Sequence, residues 1–508
     1  MTSVTSGTLM TLGLVGTGVM GRGIAQIAAQ AGLTVLLYDS NPAAVAAAID
    51  AIGTALRRLA DKGKLPAAEA AAAAARLQAA DGLQAFASCD CVVEAIVEKL
   101  DAKQQLLGAL EAIVRDDCIL ATNTSSLSVT AIAAATARPE RVVGWHFFNP
   151  VPLMKVVEVI PGLRTAPAVA ERMSELSQRL GHRPVRCQDT PGFIVNHAGR
   201  GYVTEALRIV GEGVADFATV DRILREGAGF RMGPFELLDL TGLDVSHPVM
   251  EQIYHQFYQE PRFRPSPITR QRLEAGLLGR KTGAGFYRYD NGTQVVEPEE
   301  SASGSLPAAL WLAPDAAAPA REIQALAAHA GVPVETGERP GPHALCLVCP
   351  LGEDATQSVV RHGLDPERTV ALDPLTPFAR RRTLMTNPLT APATLAAAQA
   401  LLGADGVPVS CIGDSAGFVA QRVIATIVNI GCDIAQQRIA TPQDIDAAVT
   451  LGLGYPRGPL AWGDAVGPGR IVEILEAMQR FYGDPRYRVS PWLKRRALLG
   501  ASLHSGAA

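Results

Sequence analysis

Apolar and polar positions fall in alternating blocks along the first 190 residues. Residues 9–15 (LMTLGLV) form a short apolar run ending in glycines, GIAQIAAQAG continues with helical spacing, and the apolar run returns as LTVLLYD at 33–39. Two such runs flanking a helix make a βαβ unit. Ala-rich sequence carries the helical reading to about residue 80. CDCVVEAI then reads as a strand, EKLDAKQQLLGALEAIV as a helix, and CILATNTSSLS as a strand leaving into a polar loop. The alternation continues to Val185 and Arg186, which predicts an α/β, doubly wound, mostly parallel sheet. From Thr190 the texture changes: GFIVNHAGRGYVTEALRIVGEG and ATVDRILREGAGF carry helical spacing, and no β-type run intervenes before residue 283.

The stretch from Val295 to Pro307 is rich in Ser, Glu, Gly and Pro and predicts a linker over 291–307. Beyond it the chain begins again. DTPGF at Asp189 matches DSAGF at Asp414, Val220-Asp221 matches Ile445-Asp446, Gly233-Pro234 matches Gly458-Pro459, and Asp239 and Gly242 match Asp464 and Gly467, every pair 225 positions apart. PRFRPSP at Pro261 returns as PRYRVSP at Pro485, one position out of step. This is an internal duplication. The predicted organisation is therefore a Rossmann-like α/β domain over 8–187, an all-α domain over 188–290, the linker, a degenerate copy of the α/β domain over 308–410, and a second helical domain over 411–505. Asn387-Pro388 is taken as the counterpart of Asn149-Pro150, and the second copy lacks a glycine loop.

Composition narrows the function class. A length of 508 residues suits about three or four domains. With 48% hydrophobic and 19% charged residues, every segment of domain size can bury a core. A formal charge of −4 gives no electrostatic reason to expect nucleic acid or an anionic membrane, so a small soluble ligand is the default. Eight cysteines in this length are no disulfide framework, and no basic residue precedes Arg22 as a secretory signal would require, which predicts a reduced, cytoplasmic setting. Cys346 and Cys349 form a lone C-x-x-C inside an apolar run and are expected to be buried thiols; no metal site is expected.

Gly16-x-Gly18-x-x-Gly21 lies between a predicted strand and helix. The first glycine permits the tight turn, the second lets backbone N–H groups approach a pyrophosphate, and the third lets helix and strand pack closely. Asp39 ends the second strand, placed to accept hydrogen bonds from ribose hydroxyls. Its charge repels a 2′-phosphate, and Ser40-Asn41 brings no arginine to hold one, so NAD is expected rather than NADP. A second signal is WHFFNPVPLMKVVEVI, starting at Trp145. Glu158 sits inside an aliphatic strand, where a carboxylate is costly to bury without a partner, and His146 on the neighbouring strand would supply it. Such a pair is either a buried ion pair or a proton-transfer dyad in which Glu158 fixes the tautomer of His146; spacing leaves both open. ATNTSSLS puts Asn123, Ser125 and Ser126 beyond a strand end, where ligands of open α/β sheets bind, and Asn196 near a helix start is a cap or a ligand-side amide.

GLVGTGVMGRGIAQ, the Asp-ended second strand, EAIVEKLDAK, ATNTSSLS, HFFNPVPLMKVVEVI and DTPGFIVNH, in this order over about residues 8–290, resemble the NAD-dependent 3-hydroxyacyl-CoA dehydrogenase family. The resemblance implies oxidation of an (S)-3-hydroxyacyl-CoA with NAD. It implies His146 as catalytic base, Glu158 as its dyad partner, Ser125 at the substrate's 3-oxygen and Asn196 as a substrate-side amide, with Asp39, Glu98, Lys103 and Asn123 on the cofactor side. It also implies a contact between helical domains, predicted here as an internal pseudo-dimer of 188–290 against 411–505, with a homodimer as the alternative. Arg57, Arg58, Lys62 and Lys64 read first as a solvated basic face and second as contacts to CoA phosphates.

In the second half, counting from Asn387 puts Leu384 at the place of His146, and counting from Asp414 puts Gln421 at that of Asn196. That half is therefore not expected to run the same chemistry. A subset of the family associated with bacterial phenylacetate breakdown and 3-hydroxyadipyl-CoA shares this length and a repeated C-terminal domain. The alternatives are a short-chain 3-hydroxybutyryl-CoA substrate and, more remotely, a non-enzymatic dinucleotide-binding structural protein.

Overall fold

The computed structural model describes residues 10–296, 298–299 and 304–506. Residues 8 and 9 of the first expected domain, and residues 297 and 300–303 of the expected linker, lie outside these. The chain divides into two compact units, one formed by residues up to His197 together with Gln437–Leu453, the other by Ala198–Gln436 with Gly454–Gly506.

The first unit is built on eight strands: β1 (Thr11–Val15), β2 (Thr34–Tyr38), β3 (Leu77–Ala79), β4 (Cys91–Glu94), β5 (Ile119–Thr122), β6 (Val142–Phe147), β7 (Val156–Pro161) and β8 (Arg183–Arg186). Their order is β3-β2-β1-β4-β5-β6-β7-β8, parallel throughout except for the antiparallel pair β6–β7. Helices cover both faces, which is why the central strands read as unbroken apolar runs. Leu14, Val93, Trp145 and Val157 pack into one layer with Ile24, Ile27 and Met173; Val15, Val92, Leu120 and Val142 face the other way, onto Leu107 and Leu110. The Ala-rich stretch to residue 80 is not one helical run. It comprises helices Pro42–Asp61 and Ala67–Ala75 and then β3, whose sequence LQA has no β-type pattern and becomes a strand by pairing alongside β2, Leu77 opposite Val35.

The helix Pro442–Leu453 belongs to this first unit, packed on β7 and β8. Its approach is fixed by Gln188, whose backbone N–H donates to the carbonyl of Ile439 (2.8 Å) and whose side-chain amide donates to that of Arg438 (3.0 Å).

In the second unit, residues 198–290 are helical until a short hairpin, β9 (Tyr289–Asp290) with β10 (Thr293–Gln294), which occupies the start of the expected linker. A six-stranded sheet follows: β11 (Ala309–Leu312), β12 (Val334–Glu335), β13 (Ala344–Val348), β14 (Thr369–Leu372), β15 (Arg382–Thr386) and β16 (Val409–Ile412), in the order β12-β11-β13-β14-β15-β16. Here too one pair alone, β14–β15, is antiparallel. Cys346 on β13 and Cys349 just past it are buried, and burial pushes both thiols up. Helix Arg200–Gly211 packs along helix Val419–Gln436, close enough that a Cβ on Gly201 would lie 2.9 Å from Ile430. The fully buried Arg422 joins them through Glu205 at 2.8 Å. Among the described residues no helix is long and apolar enough to cross a membrane.

Candidate active site

The glycine turn joins β1 to helix Val19–Gln30. Gly16 holds a left-handed φ of +94°, and its N–H donates to the Tyr38 carbonyl at 2.9 Å, locking the turn onto the end of β2. A Cβ on Gly21 would overlap the Gly16 carbonyl oxygen, so this glycine is required by packing. Gly18 differs: a Cβ there would meet nothing within 4 Å, so open space, not packing, borders this position. Asp39 Oδ2 accepts hydrogen bonds from the Thr17 N–H (2.8 Å) and hydroxyl (3.0 Å), and Oδ1 from the Asn41 N–H (3.1 Å). Partial burial pushes the Asp39 carboxyl up, but the Thr17 and Asn41 amides outweigh it and hold the group below the usual range. The residues present therefore fit a dinucleotide: a free approach at Gly18, the N-terminus of a helix, and an ionised carboxylate at the second strand's end.

His146 and Glu158 stand directly opposite each other across β6 and β7, and His146 Nδ1 lies 2.6 Å from Glu158 Oε2. Glu158 is fully buried and His146 is 5% exposed, its ring beside Phe148 and Phe193. The other carboxylate oxygen accepts from the Ile194 and Val195 N–H groups, both at 2.9 Å, so Glu158 is gripped from two sides. The next residue, Asn196, donates from Nδ2 to the Ser125 carbonyl at 3.4 Å. Ser125 in turn gives its N–H to Glu98 Oε1 (2.8 Å), which also binds the Ser126 N–H (3.0 Å) and the Thr124 hydroxyl (2.7 Å). Glu98 reaches Lys103 at 3.3 Å. An ion pair, hydrogen bonds and the backbone step from Asn196 to Val195 thus link Lys103, Glu98, Ser125, Asn196, the 194–195 amides, Glu158 and His146. Asn123 joins from the side, its Oδ1 accepting from the Phe147 N–H at 2.9 Å.

Sequence reasoning missed the group that secures Lys103. Glu94, at the end of β4, takes the buried ammonium with both oxygens at 2.9 and 2.8 Å and also pairs with the Thr122 hydroxyl. Burial pushes Glu94 up against the pull of Lys103; Glu98 is pushed up by burial as well, but Lys103 and the 124–126 loop hold it low. The signal was available: a carboxylate inside the aliphatic strand CVVE has the same need of a partner as the one inside VVEVI. Asp189, a repeat marker in the sequence, caps helix Val129–Ala133, accepting from the Ser128 hydroxyl (2.8 Å) and the Val129 (3.0 Å) and Thr130 (2.7 Å) amides.

The family model for the NAD-binding domain of 3-hydroxyacyl-CoA dehydrogenase matches residues 11–190, and that for its C-terminal domain matches twice, at 192–289 and 417–505. The chain belongs to the 3-hydroxyacyl-CoA dehydrogenase family. This family membership makes it an NAD-dependent oxidoreductase acting on CH–OH groups. It is 38% identical to the 3-hydroxyadipyl-CoA dehydrogenase of Escherichia coli K12 over 98% of this chain and 99% of that one. A crystal structure of a 3-hydroxybutyryl-CoA dehydrogenase from Escherichia coli K12 superposes with a TM-score of 0.86 at 38% identity, covering 97% and 98% of the two chains. A probable 3-hydroxybutyryl-CoA dehydrogenase of Deinococcus radiodurans is 43% identical over its whole length, which takes up 55% of this chain.

The second sheet corrects one alignment. Leu384 lies on β15 opposite Leu372, on the antiparallel strand that corresponds in topology to β7, so it does not stand where His146 stands. The tripeptide PER forms a 3-10 turn ahead of both β6 (Pro139–Arg141) and β14 (Pro366–Arg368), and reading on from it sets Asp373 in the place of His146 and Thr376-Pro377 in that of Asn149-Pro150. Asp373 faces Thr383, to whose carbonyl its N–H donates at 3.0 Å, where His146 faces Glu158. Gln421 does stand in the place of Asn196, its Nε2 donating to Asp373 Oδ1 at 2.9 Å. Asn149-Pro150 follows β6 whereas Asn387-Pro388 follows β15, the antiparallel strand, so the shared dipeptide does not mark equivalent places.

Proposed function

We propose that this family member oxidises an (S)-3-hydroxyacyl-CoA thioester to the 3-oxoacyl-CoA, with His146 as general base. The observation that carries this is the 2.6 Å contact between His146 Nδ1 and Glu158, with the second oxygen of Glu158 held by two backbone amides. A carboxylate so gripped fixes the proton on Nδ1 and leaves Nε2 to take the proton from the substrate's 3-hydroxyl, after which Glu158 stabilises the imidazolium. NAD, when bound, supplies the hydride acceptor. Gly16, Gly18, Gly21 and Asp39 hold that cofactor; Glu98, Lys103 and Asn123 shape the wall on its side. Ser125 binds the 3-oxygen and Asn196 the thioester side, a positioning role. Replacing His146 by Gln is expected to lower kcat by about 10²- to 10⁴-fold with little change in NAD affinity, read as NADH formation with a 3-hydroxyacyl-CoA. Near wild-type turnover would sink the assignment.

For the substrate we favour 3-hydroxyadipyl-CoA, on the ground that the 3-hydroxyadipyl-CoA dehydrogenase is similar over nearly the full length of both chains. A 3-hydroxybutyryl thioester is the second reading, supported by the half-length relatives. Rates on the four-carbon and the dicarboxylic thioester separate the two. The CoA phosphates we place at a pocket of about 510 Å³ whose lining includes Arg58, Lys62, Lys155 and Arg179. A second pocket, which shares Gln26 and Pro152 with it, extends to Asn149 and Pro150 in the loop after β6. Arg57 is engaged elsewhere, by Thr54 at 2.8 Å.

We also read the second sheet as a degenerate copy of the first, and the helical segments as an internal pseudo-dimer, over the segments 8–187, 188–290, 308–410 and 411–505. Supporting this, Asp414 binds the Ala355 N–H (2.8 Å) and the Thr356 hydroxyl at the start of helix Ala355–His362, as Asp189 binds the start of helix Val129–Ala133. A cytoplasmic location fits a set of eight free cysteines.

A further inference from the structure

The loop leaving β14 opens onto a pocket that the dehydrogenase chemistry leaves unused. It measures about 430 Å³ and lies wholly inside the second unit. Leu375, Trp462 and Val466 give it apolar walls, and Arg380 and Arg457 are exposed at it, neither with an ion-pair partner among the described residues. Thr376 contributes a hydroxyl to the lining; this side chain is 5% exposed, and its Oγ1 is buried with no hydrogen-bond partner. A buried hydroxyl is seldom left unmade unless something else completes it. Thr376 occupies the position that Asn149 holds after β6, so the pocket sits where the catalytic sheet has its own ligand-side loop.

The same neighbourhood lacks the histidine–carboxylate pair that faces across β6 and β7. Asp373 Oδ1 is taken up by Gln421 (2.9 Å) and the Leu375 N–H (2.9 Å), Gln421 is itself held by the Gly352 N–H (2.8 Å), and a threonine stands where the dyad carboxylate would be. No glycine loop follows β11, whose chain continues Ala313-Pro314-Asp315.

We propose that the second unit carries a separate, non-catalytic binding site for an amphipathic anion of the acyl class. Its chain lies against Leu375, Trp462 and Val466, its carboxylate or phosphate is held by Arg380 and Arg457, and one of its oxygens satisfies Thr376. The shape suits the combination better than either part alone: two unpaired guanidinium groups at an apolar pocket select a ligand that has both a chain and a charge.

Calorimetric titration of the full chain with adipyl-CoA, which lacks the 3-hydroxyl and is not oxidised, tests this. Two molecules per chain are expected for the wild type and for His146→Gln. The Arg380→Glu/Arg457→Glu double variant should keep one and bind the other at least tenfold more weakly, the weight of one lost charge-assisted hydrogen bond. Thr376→Val, which keeps shape and removes the hydroxyl, should weaken the same event alone. Competition by adipate marks the carboxylate as the recognised anion, and competition by CoA alone marks its phosphates. A single site whose affinity the double variant does not change, in a variant that melts like the wild type, overturns the proposal. NADH formation is measured separately, so loss of the dehydrogenase reading and loss of the second site are distinguishable.

Discussion

At the scale of single residues, the glycines of the turn answer to two different requirements. Gly21 is a glycine because of Gly16's carbonyl, whereas Gly18 has open space around it and an extended backbone at φ −65° that alanine tolerates. Gly21→Ala should therefore destabilise by at least about 1–3 kcal/mol, as overpacking does, while Gly18→Ala should melt like the wild type and show a raised KM for NAD. Equal melting losses in both would contradict the division. Asp373 supplies a residue-scale test in the second sheet. Burial raises its carboxyl from 3.8 to about 6 against the Gln421 and Leu375 hydrogen bonds. Between these values the unfolded chain loses the proton and the folded chain keeps it, so the stabilisation is fully present below about pH 3.8 and is lost as pH rises through about 6. The gap between 3.8 and about 6 is worth about 3 kcal/mol. Asp373→Asn, which preserves the bond from Gln421, should be more stable than the wild type at pH 8 by about that order and indistinguishable from it near pH 4, read from urea midpoints. His146 and Glu158 were legible in the sequence because a carboxylate in an aliphatic strand announces its need of a partner. Asp373 was hidden because it stands just past the aliphatic run of β14 and before Pro374, where an aspartate reads as a turn residue, and Asn387-Pro388 offered a false anchor.

At the scale of elements, the site is a junction of β6, β7 and the turn that begins helix Val195–Ala198. Strand order and the antiparallel β6–β7 pair put base and carboxylate opposite each other, and the turn's amides hold the carboxylate. The turn has its own support. A Cβ on Gly452, in helix Pro442–Leu453, would lie 3.0 Å from Val195 and 3.5 Å from Val156, so this helix bears directly on the residue whose N–H grips Glu158. Gly452→Val is expected to push Val195, loosen Glu158 and lower kcat by about tenfold or more with KM for NAD little changed; Gly452→Ala should be milder. An unchanged kcat with a lowered melting temperature would reduce Gly452 to plain packing. Alternating apolar runs made β1, β2, β4 and β5 readable in advance. β3 was not, because its strand state comes from its neighbour, and neither was the docking of residues 437–453, because periodicity records which face is buried and not against what.

At the scale of the whole molecule, neither unit is a continuous piece of chain. The first needs Gln437–Leu453 from the C-terminal half, and the second is interrupted by that same segment, with helix Arg200–Gly211 packed along helix Val419–Gln436. A fragment ending at residue 290 would lose both attachments. Glu205, fully buried, would be left without Arg422 at 2.8 Å and Arg486 at 3.4 Å, and stripping the partners from a buried carboxylate costs about 3–5 kcal/mol. The apolar faces of β7 and β8 now under helix Pro442–Leu453 would also meet water. A polypeptide ending there has to cover those surfaces by other means, and a second copy of itself supplies equivalent helices. The fragment is therefore expected to self-associate, with activity that falls on dilution as the association is reversed, whereas the full chain should keep constant specific activity over the same range. Sedimentation velocity paired with dilution assays measures both. A monomeric fragment as stable and active as the full chain would show that the second half is dispensable to the first.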